Sequence, residues 1–240
     1  MLFKVLIAGA LCAVSAAGSA LAAPDGERAA RLAQSLCPVL QPGDLVFKGA
    51  STAIWTQLAA GWSDATDRRW GHVGLVVTVD TQGEGRPDAS PDAGGCDAGI
   101  VHADTGTGNP GQPPGPGEEI GAVRDVPLEA FLGDVDHVGV FRLALDADQR
   151  ARMLAWARGE AERRTPFDRG YNLDSENNLY CTELIWRAMS KGLGADAVPQ
   201  KSHRMGRTYI ALSDLSRHPL AEELVDLDVS DCPPGSDCEQ

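Results

Sequence analysis

The sequence predicts an α+β fold, in which a small, mainly antiparallel sheet packs on a central helix that carries Cys181. The length of 240 residues is typical of one domain, or of one domain with extensions. Short strand candidates rich in β-branched residues recur along the chain, which favours a sheet. An amphipathic segment around Cys181 predicts the helix on which that sheet packs.

The cysteine helix is predicted for residues 178–189. Apolar or small side chains recur at i, i+3, i+4 and i+7 and so share one buried face: Cys181, Leu184, Ile185 and Ala188. Cys181 falls in the first turn, where unpaired N–H groups and the helix dipole favour an anion. We therefore expect a lowered thiol pKa and a nucleophile. The alternative is a small core residue, because free cysteines are often buried.

The other elements are predicted from periodicity and turn residues. The strand candidates are residues 44–47, 70–79, 99–103, 122–126 and 137–143. The helix candidates are residues 27–36, 54–62, 128–132 and 146–164. The nearly continuous apolar run of residues 70–79 indicates a central strand buried on both faces, and His72 stands at its start. Beyond residue 194 we predict only short pieces.

The domain boundaries follow from the two ends of the chain. Residues 1–22 predict a secretory signal peptide, because an apolar run follows Lys4 and an A-x-A pattern ends at Ala22. A folded domain is predicted for residues 23–220 and an acidic tail for residues 221–240. We therefore expect a periplasmic or secreted protein. No later stretch is apolar and long enough to predict stable insertion in a membrane.

The charge of the chain bears on its partners. The formal net charge is −13 at pH 7. A chain of this charge repels nucleic acids and anionic lipid surfaces at long range. We therefore expect no nucleic-acid partner.

The cysteine count predicts one free thiol in the exported chain. Five cysteines follow the predicted signal peptide: Cys37, Cys96, Cys181, Cys232 and Cys238. An odd number in an oxidising compartment leaves at least one cysteine free or paired between chains. The last two bracket a short turn-rich loop and could close a local disulfide, and the first two could form a second. That pairing leaves Cys181 free, although spacing alone does not fix the connectivity.

Histidines on the predicted strands supply candidates for a base. A thiol hydrolase needs a histidine to move the proton and a third polar group to orient that histidine. His72 and His102 lie on consecutive strand candidates, and neighbouring antiparallel strands can bring two such side chains together. Strand histidines are otherwise ordinary polar residues. The sequence around His137 repeats the His72 pattern and provides a competing candidate.

Three segments together resemble one known family. Residues 43–47 (GDLVF), 71–77 (GHVGLVV) and 180–185 (YCTELI) resemble the circularly permuted NlpC-like cysteine hydrolases, the YiiX/YebB-like group. The resemblance extends from about residue 40 to residue 189. It implies a permuted papain-like fold, in which the cysteine helix follows the histidine strand.

The resemblance also implies roles for individual residues. Cys181 matches the nucleophile and His72 the base, while His102 occupies the third polar position, where relatives often have a glutamate. Tyr180 and Glu183 belong to the cysteine motif and are expected to support the site. Glu183 could instead simply pair with Arg187, one turn further along the helix.

These observations predict an exported thiol hydrolase that cleaves an amide bond, such as that of a cell-wall peptide, without a cofactor or metal. One alternative is a lipid acyl hydrolase or acyltransferase on the same fold, so the expected partner is a peptide or acyl substrate. Another is a zinc-binding module that uses His72 and His102, although no H-E-x-x-H pattern supports it. A binding module without catalysis is the third.

Overall fold

The computed structural model describes residues 24–49, 69–80, 97–106, 115, 117, 119–133 and 135–229. Several predictions concern segments outside these residues. They are the signal peptide, the helix at residues 54–62, and the disulfide partners Cys96, Cys232 and Cys238. Cys37 is described and is disulfide-bonded. The signal peptide, the helix at residues 54–62 and the partner of each cysteine remain predictions.

Six antiparallel strands form the main sheet of the described chain. They are β1 (Leu45–Gly49), β2 (His72–Asp80), β3 (Asp97–Ala103), β4 (Val123–Pro127), β5 (His137–Leu143) and β8 (Ala221–Asp228). Their spatial order is β4-β3-β2-β1-β5-β8. A separate hairpin comprises β6 (Ser202–Arg204) and β7 (Arg207–Tyr209). The predicted α+β class with a mainly antiparallel sheet is confirmed.

Helices cover both faces of the sheet. In the described residues they are α1 (Pro24–Leu36), α2 (Leu128–Phe131), α3 (Ala147–Arg163), α4 (Cys181–Leu193) and α5 (Leu212–Ser216). Within this part of the chain, no helix combines the length and the hydropathy needed to cross a bilayer. The helices α3 and α4 pack against each other and against one face of the sheet, and α1 and α2 cover the other face.

Side chains of β2 point alternately into the two hydrophobic cores, one on each face of the sheet. Val73, Leu75 and Val77 belong to the core beneath α3 and α4, whereas Val76 belongs to the core beneath α1 and α2. Successive side chains of a strand point to opposite faces, so a continuous apolar run can serve two helix layers. This confirms the expectation that β2 is a central strand buried on both faces.

Two glycines of the cysteine helix have different functions. Gly194 caps α4 in the left-handed conformation, with φ of 72°, as expected for a helix stop. Gly192 instead lies inside the helix, where an added Cβ would come within 2.7 Å of the Gln149 carbonyl oxygen. It therefore permits close packing of α4 against α3.

The C-terminal region departs from the predicted acidic tail. Ala221–Asp228 pairs with β5 along the edge of the main sheet. Leu224, Val225 and Leu227 pack against the core beneath α1 and α2, while the acidic residues between them share the strand. Charged side chains are common on edge strands, where they oppose pairing with other chains. Because this segment is rich in acidic residues, its polarity predicted a tail and not the strand β8.

Asp44, just before β1, is a structural residue. Its carboxylate is buried and accepts hydrogen bonds from Arg142 Nε at 3.0 Å and Nη2 at 2.8 Å. It also accepts the N–H of Gln41 at 2.8 Å. These bonds hold the turn before β1 against β5, and β1 lies between β5 and β2, the strand that carries His72.

Candidate active site

The candidate nucleophile is the first residue of α4. Cys181 is a free thiol, and only 9% of its surface is exposed. Tyr180 precedes it as the N-cap, and its backbone N–H donates to Glu183 Oε2 at 3.4 Å. This capping bond sets the first turn of the helix and therefore the direction of the thiol.

Backbone N–H groups surround the sulfur. The N–H groups of Thr182, Cys181 and Val73 lie within hydrogen-bond reach of Cys181 Sγ and favour the thiolate. Burial has the larger, opposite effect and raises the pKa of the thiol to about 11. The expectation of a lowered pKa is therefore wrong for the free protein. The N–H groups at the helix terminus lower the pKa of the thiol, but the exclusion of water from the sulfur raises it by more.

The candidate base is paired with a second histidine. His72 Nε2 lies 2.9 Å from His102 Nδ1, across the ends of β2 and β3. The Phe131 ring packs against both imidazoles, with ring-centre distances of 5.6 Å and 5.2 Å. The structure thus brings together the two histidines that the order of the strands had suggested.

Burial and nearby positive groups keep His72 neutral. Burial is the largest cause that lowers the pKa of His72 well below 6.5, and His102 and Lys48 add to it. At neutral pH the imidazole is therefore unprotonated and able to accept a proton.

Lys48 is a residue of this cluster that the sequence analysis did not select. It lies directly opposite His72 in the β1–β2 register. Its ammonium donates to the Phe131 carbonyl oxygen at 2.8 Å and lies 4.8 Å from the centre of the Phe131 ring. A lysine inside the otherwise apolar segment LVFKG was the available signal, because buried lysines require specific partners.

The thiol approaches the backbone at the start of β2 from the side of α3 and α4, whereas the histidine pair packs on Phe131, in the core beneath α1 and α2. The sulfur lies at the backbone N–H of Val73, the residue after His72. The His72 ring itself packs on Phe131 and bonds His102. The cysteine helix follows the histidine strand in the chain, and α4 packs against β2.

Residues 39–210, more than half of the chain, match the permuted papain-like amidase enzymes, the YaeF/YiiX or C92 family. The chain belongs to this amidase family. It is accordingly a papain-like cysteine hydrolase, and the expected permuted papain-like fold is confirmed. No curated protein matches the chain.

Glu183 of this amidase pairs with Arg187, which was the simpler of its two predicted roles. Its carboxylate is fully buried and accepts hydrogen bonds from Arg187 Nε at 3.0 Å and Nη2 at 2.7 Å. Arg187 also donates to the carbonyl oxygens of Leu173 and Ser175. The pair therefore fixes the loop before α4 to the first turn of the helix.

Tyr171, in that loop, is a second residue that the sequence analysis missed. Its φ is 49°, an uncommon conformation for a non-glycine residue. Asp168 stabilises this turn by accepting the N–H groups of Gly170 and Asn172. The Tyr171 ring lies 5.3 Å from the Tyr180 ring, and burial, Cys181 and Asp168 raise the pKa of its phenol. A loop without periodicity gave no sequence signal for this placement.

The remaining histidines of this amidase bind other groups. His137 Nε2 lies 2.5 Å from Asp226 on β8, and its ring packs on Trp70. His203 bonds Thr208 within the hairpin, and His218 bonds the Ala197 carbonyl oxygen. In the described chain, no group of three or more His, Cys, Asp or Glu side chains converges as a set of metal ligands.

Proposed function

We propose that this chain is an exported thiol hydrolase that cleaves an amide bond of a peptide by a cysteine–histidine mechanism, as NlpC-like hydrolases do. Cys181 is the nucleophile, His72 the general base and His102 the residue that orients His72. The observation that carries the proposal is the approach of the Cys181 sulfur to the N–H of Val73, the residue that follows His72 in β2, together with the hydrogen bond between His72 and His102.

The resting state of the proposed mechanism is a neutral pair. The thiol keeps its proton because its pKa is about 11, and His72 is unprotonated because its pKa is well below 6.5. His72 therefore removes the thiol proton as sulfur attacks the carbonyl carbon. A His72 tautomer that donates Nε2–H to His102 Nδ1 leaves Nδ1 free to accept this proton.

The remaining steps follow from this proton transfer. The tetrahedral intermediate collapses as His72 returns the proton to the leaving amine, which forms a thioester on Cys181. Water, deprotonated by His72, then attacks the thioester and releases the acid and the thiol. The N–H groups around the sulfur, those of Cys181, Thr182 and Val73, are the candidates for stabilising the oxyanion.

Export is part of the proposal. Its support is the leader pattern of residues 1–22 and a disulfide at Cys37, which suits an oxidising compartment. We propose that Cys232 pairs with Cys238 and Cys37 with Cys96, which leaves Cys181 as the free thiol. Mass spectrometry of the mature, unreduced protein tests this pattern. Active protein with Cys181 in an intramolecular disulfide would contradict the assignment.

Substitution of the nucleophile tests the activity. Labelling of a separate wild-type sample with an electrophilic thiol probe first tests whether Cys181 is reactive. The unlabelled wild type and Cys181→Ala are then compared on a library of peptide amides and acyl esters. We expect turnover of amides to be lost in the variant while its circular dichroism is unchanged, because the side-chain change is small. Unchanged turnover in Cys181→Ala would reject the thiol mechanism. Activity lost in EDTA and restored by zinc would favour the metal alternative.

A further inference from the structure

The loop before α4, residues 167–178, is closed by backbone bonds to the residue that precedes Tyr180. The N–H of Leu179 donates to the Pro166 carbonyl oxygen at 3.0 Å, and the Leu179 carbonyl oxygen accepts from the N–H of Asp168 at 3.1 Å. The two ends of the loop therefore lie side by side, as the bridge between Phe167 and Leu179 also shows. This closure brings residues of the loop back toward the first turn of α4.

Tyr171 is held in this loop by its backbone and by its ring. Its φ of 49° is uncommon for a non-glycine residue, and such a conformation persists only where the surrounding contacts enforce it. The Asp168 carboxylate provides these contacts, because it accepts the N–H groups directly before and after Tyr171 at 2.8 Å and 2.6 Å. The ring lies 5.8 Å from that of Phe167 and 5.3 Å from that of Tyr180, between ring centres. The loop therefore fixes the position of the phenol.

The hydroxyl groups of the two neighbouring tyrosines differ in their partners. Tyr180 is 3% exposed, and its hydroxyl accepts the N–H of Ile210 at 2.9 Å, as is usual for a buried tyrosine. Tyr171 is 38% exposed, and within the part of the chain that the structure describes its hydroxyl makes no hydrogen bond. Of these two phenols, that of Tyr171 is therefore the one available to a substrate.

The Tyr171 phenol interacts electrostatically with the nucleophile. Burial is the largest cause that raises the pKa of this phenol, and the charge of a Cys181 thiolate raises it further. The phenol therefore keeps its proton and acts as a hydrogen-bond donor. Among the described residues, no hydrogen bond joins it to Cys181 Sγ, so the donor remains available when a substrate carbonyl lies over the sulfur.

We propose that Tyr171 is a further catalytic residue, whose phenol donates a hydrogen bond to the carbonyl oxygen of the scissile amide as this oxygen becomes the oxyanion. The inference rests on the proposed attack by Cys181. As the sulfur bonds the carbonyl carbon, the π electron pair moves onto oxygen, and the phenol binds that oxygen without giving up its proton. The bond is stronger to the oxyanion than to the neutral carbonyl, so it lowers the barrier more than it tightens substrate binding.

Removal of the hydroxyl alone tests the proposal, on the peptide amide of the library that the wild type hydrolyses fastest. Tyr171→Phe retains the ring and should lower kcat by about 10²–10³, the usual range for one oxyanion donor, with KM nearly unchanged. Ser35→Ala, which removes a hydroxyl bonded within α1, is the matched control and should retain kcat. Wild-type kcat in Tyr171→Phe overturns the proposal. A loss confined to Tyr171→Ala also overturns it, because ring packing alone would then explain the effect.

Two further measurements locate the hydrogen bond. Alkylation by iodoacetamide involves no oxyanion, so its rate at Cys181 should be the same in the wild type and in Tyr171→Phe. The preference of the wild type for a peptide amide over the matched thioamide should decrease in the variant, because sulfur is the weaker acceptor. A parallel fall in alkylation would place the hydroxyl on the thiolate, and an unchanged amide-to-thioamide ratio would place it away from the carbonyl oxygen. Either result overturns the proposal.

A second variant decides the matter if Tyr171→Phe does not fold. Replacement of Tyr171 by 3-nitrotyrosine keeps the ring and the hydroxyl but lets the phenol ionise at a lower pH. Its kcat should decrease as the pH rises through this ionisation, followed by absorbance, because a phenolate cannot donate and repels the oxyanion. A pH profile equal to that of the wild type overturns the proposal.

The failure of this inference is distinguishable from that of the proposed function. If the wild type hydrolyses no peptide amide, or if Cys181→Ala keeps full turnover, the proposed function is rejected and the inference with it. If hydrolysis depends on Cys181 but Tyr171→Phe is unimpaired, only the role of Tyr171 is rejected.

Discussion

The imidazoles of His72 and His102 share a hydrogen bond of 2.9 Å between Nε2 and Nδ1. Such a bond needs one donor and one acceptor, so the tautomer of one ring determines that of the other. With His102 as acceptor, His72 presents an unprotonated Nδ1, which is the state required of a base. In the proposed mechanism, His102 acts on the reaction through the orientation and the tautomer of His72.

His102→Ala should lower kcat by a smaller factor than loss of His72, because water can replace part of the orienting bond. His102→Glu should recover much of the loss, because a carboxylate is also an acceptor. Steady-state kinetics of the two variants, with circular dichroism as a check on folding, measures the effect. A glutamate variant no better than alanine would show that His102 does not orient His72 as an acceptor.

His72→Ala removes the proposed base and should lower turnover by about 10²–10⁴, the usual range for general acid–base catalysis. His137→Ala is the matched control on β5, since it repeats the sequence pattern but binds Asp226. We expect the control to change stability and to retain turnover. An active His72→Ala together with an inactive His137→Ala would assign the base to the other strand.

Alkylation of Cys181 by iodoacetamide should depend steeply on pH. Because burial raises the pKa of the thiol to about 11, the thiolate fraction increases about tenfold for each pH unit between 7 and 10. The rate measured by mass spectrometry should follow this increase. A plateau reached below pH 8 would instead indicate a preformed thiolate–imidazolium pair.

The acidic limb of kcat/KM should lie below pH 6.5. His72 must be unprotonated to act as a base, and burial, His102 and Lys48 all lower its pKa. Lys48→Met removes one of these causes and should move the limb to higher pH. Lys191→Met, in the last turn of α4, is the control and should leave it in place. A limb that Lys48→Met leaves unshifted would remove Lys48 from this function.

The Glu183–Arg187 pair should make stability depend on pH. Burial raises the pKa of Glu183 from 4.5 to about 7, so the folded protein holds a proton that the unfolded chain releases. The free energy of unfolding should therefore decrease as the pH increases from about 4.5 to about 7. Urea titrations of the wild type and Glu183→Gln at pH 5 and pH 8 test this. A stability difference between the two proteins that is equal at both pH values would contradict it.

Arg187→Met provides the complementary measurement. It leaves a buried carboxylate without its cation, which typically costs about 3–5 kcal/mol. The loss should be greater at pH 8 than at pH 5, because the carboxyl group of Glu183 can take up a proton at the lower pH. An equal loss at both pH values would argue that Arg187 stabilises the protein mainly by holding the loop at Leu173 and Ser175.

The sequence by itself determined those features that depend on local periodicity. The face of α4 that carries Cys181, the double burial of β2 and the helix predicted for residues 146–164 all follow from short-range patterns. The order of the histidine strand and the cysteine helix carried the family resemblance in the same way. The sequence did not predict β8, because the acidic residues of this strand are compatible with both an edge strand and a solvated tail.

Only the tertiary structure decided the electrostatics of the site. The N-terminal position of Cys181 suggested a lowered pKa, but the pKa of a thiol also depends on how much water the rest of the fold excludes. Lys48 opposite His72, Tyr171 beside Tyr180, and Ile210 between Tyr180 and Thr182 likewise join residues far apart in the chain. Short-range periodicity does not predict such contacts, because they form only when the sheet and the helices pack together.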